Sequence, residues 1–278
     1  MKSSAALSQY RVGGLHVVRT PHSVANRPPW LLVHGAGHGA WCWEPWLRLL
    51  AADGWEAHAL SLRGHPGSDA MDPADYMQRL SVADYAADVA AVARQLGRPA
   101  VVMGHSMGGI VAQHFAQSCQ NPNLPLLNAP PLAALVLVAS VAPGQLGPLR
   151  SKPVFTDRLY LPDVDAAERL YFHRTPRAEI AAIVARIVGE SPSVINEYSL
   201  GQGVPIDPAR LDCPLLVATA RHDGTNVPRD DRIARALGGQ WLDLDIGHDL
   251  MLDGGHEQAL QAIMDWVTRH TLAARNTR

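Results

Sequence analysis

The sequence predicts an α/β protein whose mostly parallel sheet is doubly wound, with helices on both faces, and three observations carry that prediction. Residues 132–139 and 214–220 are nearly unbroken apolar runs, the pattern of strands covered on both faces rather than of strands with one solvated face. Strand-like and helix-like segments alternate along most of the chain, as parallel strands joined by crossover helices require. The stretch VVMGHSMGG at 101–109 is a short apolar strand that runs through a glycine-tight turn into Ile110, Val111, His114 and Phe115 at helical spacing.

Taken in order, residues 15–19 and 30–34 are apolar or β-branched runs separated by the proline-marked PHSVANRPP, and they read as two strands joined by a loop. HGAGHGAWCW at 34–43 sets glycines at 35, 37 and 39 just past the second strand, where a sharp turn exposes backbone amide donors. His34 and His38 are assigned to holding that turn. A helix follows over 46–52, then a strand over 56–60 and a loop over 61–69. Ser81 with Asp84 reads as a helix cap, and Val82, Tyr85, Ala86, Val89, Ala93 and Leu96 share one face of the helix behind it. After the strand near 132–139 the alternation stops. About seventy residues, 142–212, carry prolines, aromatics and two short helical patterns at 165–172 and 177–188. A detour of that length is expected to be a lid over a binding site, with residues 1–141 and 213–278 as the core. Its apolar and aromatic residues, among them Leu146, Phe155, Leu159, Tyr160, Leu161, Tyr171, Phe172 and Tyr198, are expected mostly to pack the lid onto the core, the remainder lining a pocket. Strands at 215–220 and 242–246 complete the sheet.

Composition narrows the function classes. The 278 residues suffice for one sizeable core with an insertion. Lys plus Arg at 24 nearly balances Asp plus Glu at 26, and no basic block interleaves with aromatics, so nucleic acid is not an expected partner. The first ten residues lack the apolar core of a secretory signal, and the longest apolar run is too short to span a bilayer, which points to a cytoplasmic protein without a membrane partner. Cys42, Cys119 and Cys213 are odd in number and scattered, a pattern of reduced thiols rather than of disulfides or a zinc site. None of the 13 histidines falls in an HExxH or a tight HxH cluster with a carboxylate, so neither a metal nor another cofactor is expected.

The chemistry concentrates at three loops. Gly104, Ser106 and Gly108 fit GxSxG, in which the glycines leave room for a backbone turn that lifts the serine clear of the sheet. The amide of Met107 then sits at a helix N-terminus, where partial positive charge favours an oxyanion. Serine is a poor nucleophile near neutral pH unless an imidazole takes its proton and an acceptor holds that imidazole in place. His248 lies in the loop after the 242–246 strand, with His222 and His256 as rivals, and Asp223 lies just past the 215–220 strand, with Asp245, Asp249 and Asp253 as alternatives. Ser106, Asp223 and His248 all fall at carboxyl ends of strands, where open α/β sheets bind ligands.

These motifs, in the order Ser, Asp, His, resemble the α/β-hydrolase superfamily over nearly the whole chain, and HGAGHGAWCW looks like the branch of plant methyl esterases and hydroxynitrile lyases. The segment YFHRTPRAEIAAIVARI resembles bacterial relatives instead, and the spacing from Asp223 to Val227 and Pro228 is a residue longer than the family's habit. The resemblance implies Ser106 as nucleophile, His248 as base, Asp223 as its orienting acid, and the amides of Ala36 and Met107 as the oxyanion hole. It implies hydrolysis of a carboxylic ester or related acyl substrate through an acyl-enzyme. A carbon-carbon bond hydrolase or a cofactor-free lyase or oxygenase would reuse the same triad, and a non-catalytic small-molecule receptor would reuse the fold. Lyases of that branch place a threonine after the first histidine and a lysine after the catalytic one. Gly35 and Asp249 stand here, so ester hydrolysis is expected, with Gly35 leaving room above the serine and Asp249 repelling an anionic leaving group. The expected partner is a small ester, with a homodimer left open.

Overall fold

The computed structural model describes residues 6–21, 27–119, 121, 123–124, 128–154 and 157–272; Phe155 and most of the 21–29 loop lie outside them. The chain opens with β1 (Ser8–Val12) and β2 (Leu15–Arg19), an antiparallel hairpin turned by Gly13 at φ +57 and Gly14. Then come β3 (Trp30–Val33), a 3-10 turn at Ala40–Trp43, α1 (Glu44–Ala52), β4 (Ala57–Ser61), α2 (Pro73–Gln78) and α3 (Val82–Leu96). Ser81 and Asp84 make the expected reciprocal cap on α3. β5 (Val101–His105) and α4 (Met107–Ser118) follow, then β6 (Ala134–Val138). Between β6 and β7 lie α5 (Val164–Tyr171), α6 (Arg177–Val184) and α7 (Pro192–Ser199). The chain ends with β7 (Leu215–Ala220), α8 (Arg232–Leu237), β8 (Gln240–Leu244) and α9 (His256–Thr271).

The strands form one sheet in the order β1-β2-β4-β3-β5-β6-β7-β8, parallel from β4 to β8 and antiparallel at the β1 and β2 edge. Alternation along each strand feeds two separate cores. Leu31 and Val33 of β3 join α3, α4 and α8 on one face. Trp30 and Leu32 join α1 and α9 on the other. The doubly wound expectation therefore holds, and the apolar β5, β6 and β7 are buried at every position. β1 was not expected, although two consecutive glycines between β-branched runs are a hairpin signal. The strand expected at 242–246 is shifted to Gln240–Leu244, because β8 is the sheet edge and tolerates an exposed Trp241. α2, α7 and α8 are also additions, the first two marked by Asp-Pro and Ser-Pro at their starts.

Register aligns the carboxyl ends. Val33 of β3 lies beside Gly104 of β5, and His105 beside Val138 of β6, so the loops after β3, β5, β6 and β7 open on one rim.

Candidate active site

Ser106 sits between β5 and α4 with φ 53 and ψ −118, a conformation rare for any residue with a side chain. The neighbouring glycines are required by close approach. A Cβ on Gly104 would lie 2.2 Å from the Gly108 carbonyl oxygen, and one on Gly108 would lie 2.4 Å from the carbonyl oxygens of Val33 and His34. The turn is clamped on both sides, since the Ser106 amide donates to Val138 and the Val141 amide donates to Ser106. Ser106 opens onto a cavity of about 300 Å³, which Ala36, His38, His105 and His248 also line.

His248 and Asp223 are both buried, and the imidazole Nδ1 is 2.5 Å from Asp223 Oδ2. The other carboxylate oxygen accepts the Thr225 amide at 2.7 Å, which fixes the carboxylate plane. Burial would lower the His248 pKa, but the charge and hydrogen bond of Asp223 outweigh it and hold the imidazole above its ordinary value. The rivals stand elsewhere. His222 stacks on His173 and pairs with Asp245 outside the cavity, and His256 begins α9. Asp245 is bound to Arg174 on the surface. Asp253 accepts the amides of Gly247, His173, Arg174 and Thr175, so it ties the His248 loop to the α5–α6 connection.

The two amides expected to hold an oxyanion flank the serine. Met107 is the first residue of α4, and neither its amide nor that of Ala36 meets a protein acceptor among the described residues. The loop that carries Ala36 is held by side chains. His34 binds the Gly35 carbonyl and accepts the Leu62 amide, the structural part expected of it. His38 does more. Its Nδ1 is 2.9 Å from the Ala36 carbonyl and its Nε2 is 3.2 Å from Asp249 Oδ2, so both nitrogens face acceptors and both carry hydrogen. Burial opposes that charge, yet Asp249 holds the His38 pKa above its ordinary value, and His38 holds the Asp249 carboxyl below the usual range against the same burial.

That pairing corrects the reasoning applied to positions 35 and 249. The Asp249 carboxylate is buried and neutralised by His38 and does not line the cavity, so its charge does not face a leaving group. Nor does Gly35 provide free space: a Cβ there would lie 2.8 Å from His105 Nδ1 and 3.1 Å from Ser106 Cβ. His105 in turn donates from Nε2 to the His248 carbonyl at 2.9 Å, and burial, with His248 beside it, pushes its pKa down to about 3.

Glu190 was not expected from the sequence. It is fully buried, and it accepts the Gly37 amide at 2.9 Å, His65 Nε2 at 3.0 Å, the Tyr85 hydroxyl at 2.7 Å and the Ser191 amide at 2.9 Å. Burial would raise its pKa, but these donors, His65 foremost, hold it below the usual carboxylate range. Its partners stand up to 153 positions away, which is why no local pattern announces it. Of the residues of the 142–212 segment expected mostly to pack onto the core, Tyr160, Tyr171 and Tyr198 line the cavity instead, Leu146, Leu159 and Leu161 are exposed, and Phe172 packs with Ala167 and Ile180.

Among the described residues, two groups of metal-capable atoms gather within 4.8 Å, His105 with His248 and Asp249, and His173 with His222 and Asp245. In the first, His248 and Asp249 are engaged by Asp223 and His38. In the second, Arg174 and Arg221 crowd the single carboxylate with positive charge.

The sequence profile of the alpha/beta hydrolase family matches residues 30–266. The chain belongs to that family. Its hydrolase relatives include methylesterase 18 of Arabidopsis thaliana, 33% identical over 126 residues that cover 45% of this chain and 44% of that protein. Protein phosphatase methylesterase 1 of Homo sapiens is 32% identical over 112 residues, 40% of this chain and 29% of that protein. The chain thus aligns with less than half the length of these curated relatives. Among solved structures, an esterase from Thermogutta terrifontis with malate bound superposes with a TM-score of 0.66 at 24% identity, covering 96% of this chain and 100% of that one. An enol-lactonase from Burkholderia xenovorans superposes with a TM-score of 0.66 at 16% identity, covering 94% and 100%. At these identities the superpositions speak to the hydrolase fold alone.

Proposed function

We propose that the protein is a serine hydrolase that cleaves a small carboxylic ester through an acyl-enzyme, with Ser106 as nucleophile, His248 as base and Asp223 as its orienting acid. The observation that carries this reading is the strained serine at the turn after β5 opening onto the same cavity as an imidazole already paired to a buried carboxylate. His248 takes the serine proton through Nε2, the nitrogen turned away from Asp223, and Asp223 stabilises the imidazolium that forms. The amides of Ala36 and Met107 receive the charge that develops on the carbonyl oxygen, and His38 positions the first of them through its carbonyl. Deacylation repeats these steps with water. The esterases among the relatives and neighbours support the ester class.

Residues 142–212 serve as the lid in this reading, since Tyr160, Tyr171 and Tyr198 reach the cavity from that segment. Cys42, Cys119 and Cys213 are free thiols, which supports a cytoplasmic setting. The test is turnover of short p-nitrophenyl esters together with labelling by a fluorophosphonate probe. Ser106→Ala is expected to abolish labelling and to lower kcat by on the order of a millionfold. Labelling of the variant, or retention of a few per cent of turnover, refutes the assignment.

A further inference from the structure

The cavity wall carries donors that the serine, histidine and aspartate do not use. Arg150 lines the cavity, and its guanidinium has no hydrogen-bond or ion-pair partner among the described residues. Arg174, Arg177, Arg221 and Arg232, outside the cavity, each hold a carboxylate. The Arg150 amide donates to the Ser199 carbonyl at 3.0 Å, so the arginine is a neighbour of the last residue of α7. Ser199 lines the same cavity, and its Oγ is buried without a partner. A buried hydroxyl left unsatisfied costs about 1–3 kcal/mol, which a ligand oxygen would relieve. Two residues with unused side-chain donors, one of them cationic, are therefore backbone neighbours in the wall of a cavity whose lining includes no carboxylate.

Asp249 is balanced by His38, and Asp223, which is not in the lining, is held by His248 and the Thr225 amide. Arg150 alone among the lining residues adds uncompensated charge, and one guanidinium matches one negative charge. A planar carboxylate suits the two parallel donors of its fork, whereas a phosphate dianion would bring a second charge that nothing in the lining offsets. Resting on the serine hydrolase reading, we infer that the substrate is an ester bearing a free carboxylate, held by Arg150 and Ser199 while the ester group lies at Ser106. A cavity of about 300 Å³ limits this to small molecules, such as the half-esters of short dicarboxylic acids.

Two measurements test it. In titration calorimetry on the intact protein, succinamate, a monoanion, is expected to bind at least about tenfold more tightly than neutral succinamide; Arg150→Gln removes that preference and Ser199→Ala weakens it. In kinetics, the ratio of kcat/KM for the p-nitrophenyl half-ester of succinic acid to that for p-nitrophenyl butyrate is expected to fall at least about tenfold in Arg150→Gln, chiefly through KM, and to be partly retained in Arg150→Lys. Equal affinities in the wild type, or an unchanged ratio in Arg150→Gln, overturn the inference. Turnover of neither ester with the binding preference intact would instead refute the hydrolase reading while the carboxylate site stands.

Discussion

Replacing Glu190 with Gln tests whether one buried carboxylate holds the segment after β6 to the loop that carries Ala36. Oε2 accepts from the Gly37 amide and His65, and Oε1 accepts from the Tyr85 hydroxyl and the Ser191 amide. An amide can present its oxygen to only one of these pairs, and its NH2 group must face the other. His65 and Tyr85 can turn, but the amides of Gly37 and Ser191 cannot, so one buried backbone donor is orphaned at a cost of about 1–3 kcal/mol. The surviving hydrogen bonds also lose their charge assistance, which is worth roughly another 1–2 kcal/mol in all. The expected loss is about 2–5 kcal/mol, or a fall in Tm of roughly 4 °C or more for a domain of this size. The Val188 amide still binds the Gly37 carbonyl, so the loop loosens rather than detaches, and kcat is expected to fall about tenfold with KM less affected. Urea unfolding monitored by tryptophan fluorescence and initial rates on a short p-nitrophenyl ester read the two effects. A loss under about 1 kcal/mol with unchanged kcat would show that Glu190 is not the strap.

The pH dependence follows from His248, whose neutral form must accept the serine proton. Its pKa is raised above 6.5, so the proton persists to higher pH, and kcat/KM on a neutral ester is expected to fall with decreasing pH through a midpoint above 6.5; a flat profile between pH 5 and 8 removes the histidine base. Asp223→Asn is expected to lower kcat by on the order of 10⁴-fold by freeing the imidazole tautomer. Asp245→Asn should change it little, because Asp245 is a surface partner of Arg174, and Asp253→Asn should lower stability more than rate, because it anchors backbone amides. Steady-state rates and unfolding curves on the three variants decide, and equal losses of rate would mean that the acid is misassigned. Gly104→Ala is expected to destabilise the fold by about 1–3 kcal/mol or more, since its Cβ meets the Gly108 carbonyl oxygen at 2.2 Å; a thermal melt equal to the wild type would contradict the geometry of the turn.

Local chemistry determined what could be read from the sequence. Apolar runs that need cover on two faces announced β5, β6 and β7, a reciprocal Ser81 and Asp84 pair announced α3, and GxSxG announced the turn that strains Ser106. Each depends on residues a few positions apart, so spacing alone carries it. Which of His222, His248 and His256 lies on the Ser106 cavity, and which of Asp223, Asp245, Asp249 and Asp253 pairs with it, is visible only in the tertiary structure, because cavity position and partner distance are not properties of spacing. It also reversed the sense of Asp249, whose negative charge reads from the sequence as facing the substrate but is spent on His38, 211 positions away. Glu190 and Arg150 lie outside the helices of the stretch between β6 and β7, where no helical periodicity places a side chain. Their roles come from what the fold sets beside them: five converging donors around the one, and a cavity lining without a carboxylate around the other.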